Sequence, residues 1–144
     1  MYKLFIADDE AIIREGLRCL LDWETLGFTI AGEAANGDAA LQFLLSETPD
    51  LVLLDIRMPG MSGLDVVRIA REHGYDGKVA ILSGYSDFNY ARTAIRYGVL
   101  SYLTKPIDED ELLEIVTQIR NQLDSDASAR DSSAHYRQKA DDSI

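Results

Sequence analysis

The sequence is short of cations, cysteine and long apolar runs. Its 144 residues carry 14 Lys and Arg against 25 Asp and Glu, a formal charge of −11. A surface that acidic does not suit direct contact with a phosphate backbone, which needs a basic face. Cys19 is the single cysteine, so no internal disulfide is possible, and a reducing cytoplasm is the expected setting. The two histidines, His73 and His135, lie far apart, and no His/Cys cluster competes for a metal. No apolar stretch is long enough to span a membrane. The first apolar run reaches Asp8-Asp9-Glu10 at once, unlike a signal peptide. The length allows one ordinary domain and not two.

What is present is an alternation of short apolar runs and helical patterns. Residues 3–7, 29–34, 51–55, 78–83 and 101–105 read as strands. Residues 10–21 place Ile13, Leu17, Leu20 and Leu21 on one helical face. Asn36-Gly37 resembles a hairpin turn, yet Ala39, Ala40, Leu41, Leu44 and Leu45 suit a helix, so a strand-to-helix turn is expected there. Ser62 can cap a helix to about residue 72 with Leu64, Val66, Val67 and Ala70 inward. Ser86 can cap a fourth through Phe88, Ala91, Ala94 and Ile95, stopped by Gly98. Asp108 can cap a fifth with Leu112, Ile115, Val116, Ile119 and Leu123 on one face. Five strands alternating with five helices imply a parallel α/β sheet covered on both faces, with right-handed crossovers. From residue 124 the texture becomes serine-rich and polar, which reads as a linker or disordered tail (124–144) after a domain spanning 1–123.

Three of the strand runs end in charge: the first in Asp8-Asp9, the third in Asp55, the fifth in Lys105-Pro106. Ligand sites of open α/β sheets lie at the carboxyl ends of the strands. Carboxylates gathered there repel one another unless a cation relieves them. Hard oxygen ligands suit Mg²⁺, although Asp8-Asp9-Glu10 can also serve simply as an acidic start to the following helix. A carboxylate can act as a nucleophile toward a phosphoryl group, given charge neutralisation of the kind Mg²⁺ and Lys105 supply; a purely structural Asp55–Lys105 ion pair is the plainer alternative. Ser83 at the end of the fourth strand can hydrogen-bond a phosphoryl oxygen, with Gly84 leaving room for the group.

Asp8-Asp9, Asp55 within Asp-Ile-Arg-Met-Pro-Gly-Met-Ser-Gly, Ser83-Gly-Tyr, Tyr102 and Lys105-Pro106 together resemble the receiver domain of bacterial two-component response regulators, over about residues 1–123. The resemblance implies a flavodoxin-like, doubly wound sheet of order 2-1-3-4-5, an order for which a member of this family is the general illustration. It implies that Asp55 accepts the phosphoryl group and that Asp9, Asp8, Asp55 and the backbone carbonyl of Arg57 hold Mg²⁺. It implies that Lys105 pairs with the phosphoryl group, with Lys105–Pro106 cis. Ser83 matches the switch hydroxyl and Tyr102 the aromatic that follows it. The implied role is a signalling switch, not an enzyme, charged by a sensor histidine kinase. The signal emerges on the face of helix 4, strand 5 and helix 5, where Tyr90, Arg92, Arg96 and Tyr97 are candidate surface residues and where homodimers form.

Residues 22–28 and 82–88 look like those of regulators that continue into an AraC-type DNA-binding domain, so DNA is a partner only through an output domain that this sequence does not include. The polar tail reads either as the start of a linker to it or as the end of a stand-alone receiver. Three other functions compete. A haloacid-dehalogenase-type phosphohydrolase expects a second Asp where Arg57 stands. A nucleotide-binding module expects a glycine-rich turn after the first strand. A phosphorylation-independent interaction module leaves the acid, hydroxyl and lysine positions without a reason.

Overall fold

The computed structural model describes residues 1–84 and 88–142, with side chains for 1–84 and 92–129. Its strands are β1 (Tyr2–Ala7), β2 (Phe28–Ala34), β3 (Leu51–Asp55), β4 (Lys78–Ser83) and β5 (Ser101–Thr104). The helices between and after them are α1 (Ala11–Leu20), α2 (Gly37–Glu47), α3 (Gly63–Glu72), α4 (Phe88–Arg96) and α5 (Glu109–Asp142). All pairings are parallel, in the order β2-β1-β3-β4-β5. This is the doubly wound, flavodoxin-like arrangement expected from the alternation and the resemblance.

The strands are apolar on both faces because both faces are covered. Strand residues alternate sides. Phe5, Ala7, Val52, Leu54, Val79 and Ile81 therefore pack with α2, α3 and α4 through Leu44, Val67 and Ala94. Leu4, Ile6, Leu51, Leu53, Ala80 and Leu82 pack with α1 and α5 through Leu17, Val116 and Ile119.

Local chemistry fixes the helix starts. The Asn36 side chain accepts from the Ala39 N–H at 2.8 Å, so Asn36-Gly37 is the strand-to-helix turn and not a hairpin. Ser62 accepts from the Asp65 N–H at 3.2 Å and Asp108 from the Glu111 N–H at 3.0 Å. Gly98, at φ +73°, follows α4 in the left-handed conformation that favours glycine. Ser86 as a cap, and the side chains of Phe88, Tyr90 and Ala91, lie outside the described residues.

Of the apolar pair on α4, Ala94 is buried, whereas Ile95 is 73% exposed. They are consecutive on a helix, about 100° apart, and it is Ala94 that faces the sheet. The last helix does not stop at Leu123 but continues to Asp142 as part of α5. No Gly or Pro occurs after Pro106 to break it, and α5 still meets the rest of the fold beyond Leu123, where Lys78 pairs with Asp126 at 2.8 Å.

Candidate functional site

Asp8 follows β1, Asp55 ends β3 and Lys105 follows β5, so the sheet topology brings all three to one edge. Each continues the alternation that faces α1 and α5: Leu4, Ile6, Asp8; Leu51, Leu53, Asp55; Leu103, Lys105. The Lys105 ammonium lies 2.7 Å from Asp8 Oδ2 and 3.4 Å from Asp55 Oδ2. Asp8 is fully buried and Asp55 nearly so, while Asp9 is exposed. Each of the three offers an oxygen, and these oxygens lie within 4.8 Å of one another.

The backbone locks this edge. The Asp8 N–H donates to the Ala34 carbonyl at 3.1 Å. Asp8 Oδ1 accepts from the Glu10 N–H at 2.9 Å, which ties the Asp8 side chain to the residue that precedes α1. The Ile56 N–H donates to Leu82 at 3.1 Å, and the Lys105 N–H donates to the Ser83 carbonyl at 2.7 Å. The Lys105–Pro106 peptide is cis.

Burial, and then the charge of Asp8, push the Asp55 carboxyl up to about 6, against the pull of Lys105 and a hydrogen bond from the Arg57 backbone. Burial pushes the Lys105 ammonium down, but its hydrogen bond to Asp8 and the charges of Asp55 and Asp8 outweigh this and hold it above its ordinary value. Three carboxylates face one ammonium, an excess that a divalent cation would neutralise. The donor set is all oxygen and partly open to water, which fits Mg²⁺ and not Zn²⁺. The site opens into a pocket of about 350 Å³ lined by Asp9, Glu10, Asp55, Arg57, Gly84 and Lys105. A β-carbon built on Gly84 would meet nothing within 4 Å, so there is room here for a further group.

Ser83 is buried at the end of β4, one residue before Gly84, which lines this pocket. Tyr102 is not in the pocket. It pairs with Ile81 in the β4–β5 register and is half-buried against the α2, α3 and α4 side of the sheet, the side on which Ser83 continues the alternation of Val79 and Ile81. Arg92 and Arg96 on α4 are exposed and Tyr97 is half-buried.

Residues 22–28 are remote from the site and build the α1–β2 connection. Thr25 Oγ1 donates to Asp22 Oδ2 at 2.7 Å, and the buried Trp23 donates from Nε1 to the Leu17 carbonyl at 3.0 Å.

Two residues of the site were not foreseen. Arg14 Nη1 donates to the Asp8 carbonyl at 2.6 Å. An arginine on the polar stripe of a first helix carries no signal in sequence beyond solvated surface. Gly63 packs on the Asp55 backbone; its place four residues after Pro59 gave only a loop signal.

Comparison with known proteins gives one consistent likeness. The family model described as response regulator receiver domain matches residues 4–117. A Bacillus subtilis (strain 168) transcriptional regulatory protein, YesN, is 34% identical over 141 residues, 98% of this chain. The Staphylococcus aureus (strain NCTC 8325) transcriptional regulatory protein HptR is 40% identical over 119 residues, 83% of this chain. The chain spans 38% and 46% of the length of these two proteins. Among solved structures, the REC domain of AraT, a response regulator from Geobacillus stearothermophilus, superposes with a TM-score of 0.82 at 39% identity, covering 88% of this chain and 98% of that one.

Proposed function

The chain belongs to the response regulator receiver domain family, a phosphorylation-switch module of two-component signalling, and on that footing we propose that Asp55 is its phospho-acceptor, charged by a sensor histidine kinase. The observation that carries this reading is the placement of Asp55. A nearly buried carboxylate at a strand end, between Lys105 and Asp8, opens into a pocket with room for a phosphoryl group.

In the proposed reaction an Asp55 carboxylate oxygen attacks the phosphorus of a phosphohistidine. The new P–O bond forms as the P–N bond breaks, and the imidazole leaves with that electron pair and takes up a proton. Asp9, Asp8, Asp55 and the Arg57 carbonyl would hold Mg²⁺, which when bound neutralises charge on the transferring group. Lys105 supplies the second cation and, at 3.4 Å from Asp55, is already in reach of an oxygen carried there. The resulting dianion offers acceptors to Ser83 and Lys105. Ser83 moving toward it would free space for Tyr102, and the face of α4, β5 and α5 would shift between two pre-existing arrangements.

That face also suits a homodimer. Ile95 on α4 is 73% exposed and Leu113 on α5 39% exposed, apolar surface that a second copy would cover. The output is proposed to be transcriptional, through an AraC-type DNA-binding domain. This rests on the sequence of residues 22–28 and 82–88 and on relatives described as transcriptional regulators. Residues 124–144 then serve as the connection to it, in helical form as far as Asp142. No described helix is long and apolar enough to cross a membrane, and a cytoplasmic setting is proposed with the rest.

The test is intact-mass measurement after incubation with acetyl phosphate, with and without Mg²⁺, on wild type and Asp55→Asn. One added phosphoryl group on wild type alone, and only with Mg²⁺, is the expected result. An equal adduct on Asp55→Asn would overturn the assignment.

A further inference from the structure

The turn between β1 and α1 must aim two adjacent carboxylates at one point, and the structure holds them in different ways. Asp8 is fixed through its side chain, by Lys105 and by the Glu10 N–H. Among the described residues no ion pair or hydrogen bond restrains the exposed Asp9 carboxylate, so its aim depends on its backbone. That backbone is held from outside the site. Arg14 Nη1 donates to the Asp8 carbonyl at 2.6 Å, and this oxygen belongs to the peptide that joins Asp8 to Asp9. A peptide is planar, so anchoring its oxygen also sets the direction of the Asp9 N–H and Cα.

The guanidinium is itself anchored. Arg14 Nε pairs with Glu33 Oε1 at 3.2 Å, and Glu33 on β2 also pairs with Arg18 at 3.3 Å. The Arg14 side chain is only 19% exposed, against 44% for Arg18. An isolated surface ion pair is worth little. Here the pair instead orients a charge-assisted hydrogen bond, of the stronger kind, onto a single carbonyl.

We infer that Arg14 is a positioning residue for divalent-cation binding: braced by Glu33, it sets the Asp8–Asp9 peptide and thereby aims Asp9 into the carboxylate cluster. This rests on the proposal that Asp8, Asp9 and Asp55 hold Mg²⁺. Partners that orient metal ligands typically cost about 10-fold or more in affinity when removed.

The sign of the effect separates positioning from charge. Arg14 is a cation near a cation site, so electrostatics alone predicts tighter Mg²⁺ binding once it is neutralised. Positioning predicts weaker binding. Arg18 shares Glu33 but does not touch Asp8, and so serves as the control.

The experiment is calorimetric titration of the full chain with MgCl₂, comparing wild type with Asp9→Asn, Arg14→Ala, Arg14→Met and Arg18→Ala. Arg14→Met retains an unbranched stem should the alanine variant not fold. The expected result is a dissociation constant raised about 10-fold by either Arg14 substitution and unchanged by Arg18→Ala. An unchanged or lowered constant in the folded Arg14 variants, or an equal rise in Arg18→Ala, overturns the inference. If wild type binds no Mg²⁺, or Asp9→Asn binds as wild type does, the underlying metal assignment fails and the inference with it.

Discussion

Gly63 at the start of α3 rests directly on the backbone of Asp55. A β-carbon built on Gly63 would lie 2.1 Å from the Asp55 carbonyl oxygen and 3.0 Å from its carbonyl carbon. The Gly63 N–H donates to Ile56 at 2.7 Å, so helix and strand end are hydrogen-bonded at the same place. The neighbours are backbone and cannot rotate aside as a side chain would. Gly63→Ala should therefore cost about 3 kcal/mol of stability and reduce phosphoryl uptake by displacing Asp55. Urea unfolding and intact mass after acetyl phosphate would read the two effects. A variant as stable as wild type would show that the contact is not binding on the structure.

The opposite edge of the sheet should be separable from the site. Tyr75, buried beside β4, donates its hydroxyl to the Pro49 carbonyl, with the Arg71 guanidinium 5.6 Å from its ring centre. Tyr75→Phe leaves the ring packed and removes only that hydrogen bond, at a cost of about 1–2 kcal/mol. Mg²⁺ affinity and phosphoryl uptake should be unchanged. A parallel loss of uptake would mean that the two edges are coupled through the sheet.

Most of the fold was legible because its signals are local. Apolar strand runs, the caps Ser62 and Asp108 and the left-handed Gly98 each act within a few residues. Charged residues closing three apolar runs were enough to foresee the Asp8, Asp55 and Lys105 cluster, since one sheet edge gathers strand ends. What sequence did not disclose depends on long-range packing. Ile95 and Ala94 are both apolar, and the position of the sheet, not the strength of the apolar signal, decides which is buried. The continuation of α5 beyond Leu123 was not foreseen, because the apolar stripe ends there while nothing that follows breaks a helix. Arg14 reaches a backbone carbonyl six residues earlier, a contact with no compositional trace.

The raised Asp55 value gives a pH dependence with a definite sign. Burial and the Asp8 charge lift its carboxyl from 3.8 to about 6, so the folded state holds a proton more tightly than the unfolded chain does. Ionised Asp55 therefore penalises folding. The penalty is full above about pH 6 and is relieved as pH falls through that value toward 3.8. In EDTA at pH 8, Asp55→Asn should melt above wild type, and the gap should close toward pH 5. Thermal melts at both pH values test this, and a gap that persists unchanged at pH 5 would mean that Asp55 is not the titrating group.

Lys105 pairs with Oδ2 of Asp8 and of Asp55, two of the carboxylates proposed to hold a divalent cation, so ammonium and metal are predicted to compete. Its Nζ is 2.7 Å from Asp8 Oδ2 and 3.4 Å from Asp55 Oδ2, and it is the one cation these two carboxylates face among the described residues. Lys105→Met removes it and keeps most of the stem. In EDTA the variant should lose about 2 kcal/mol, because two buried acids lose a charge-assisted donor. Added MgCl₂ should restore more stability to the variant than to wild type, and the variant should bind the ion more tightly. Phosphoryl uptake should nonetheless slow, since the metal cannot also supply the second positive charge that Lys105 is proposed to bring to the transferred group. Tighter metal binding with slower uptake would separate the two roles of positive charge at this edge. Weaker Mg²⁺ binding in the variant would mean that Lys105 chiefly aligns Asp8 for the ion and does not compete with it.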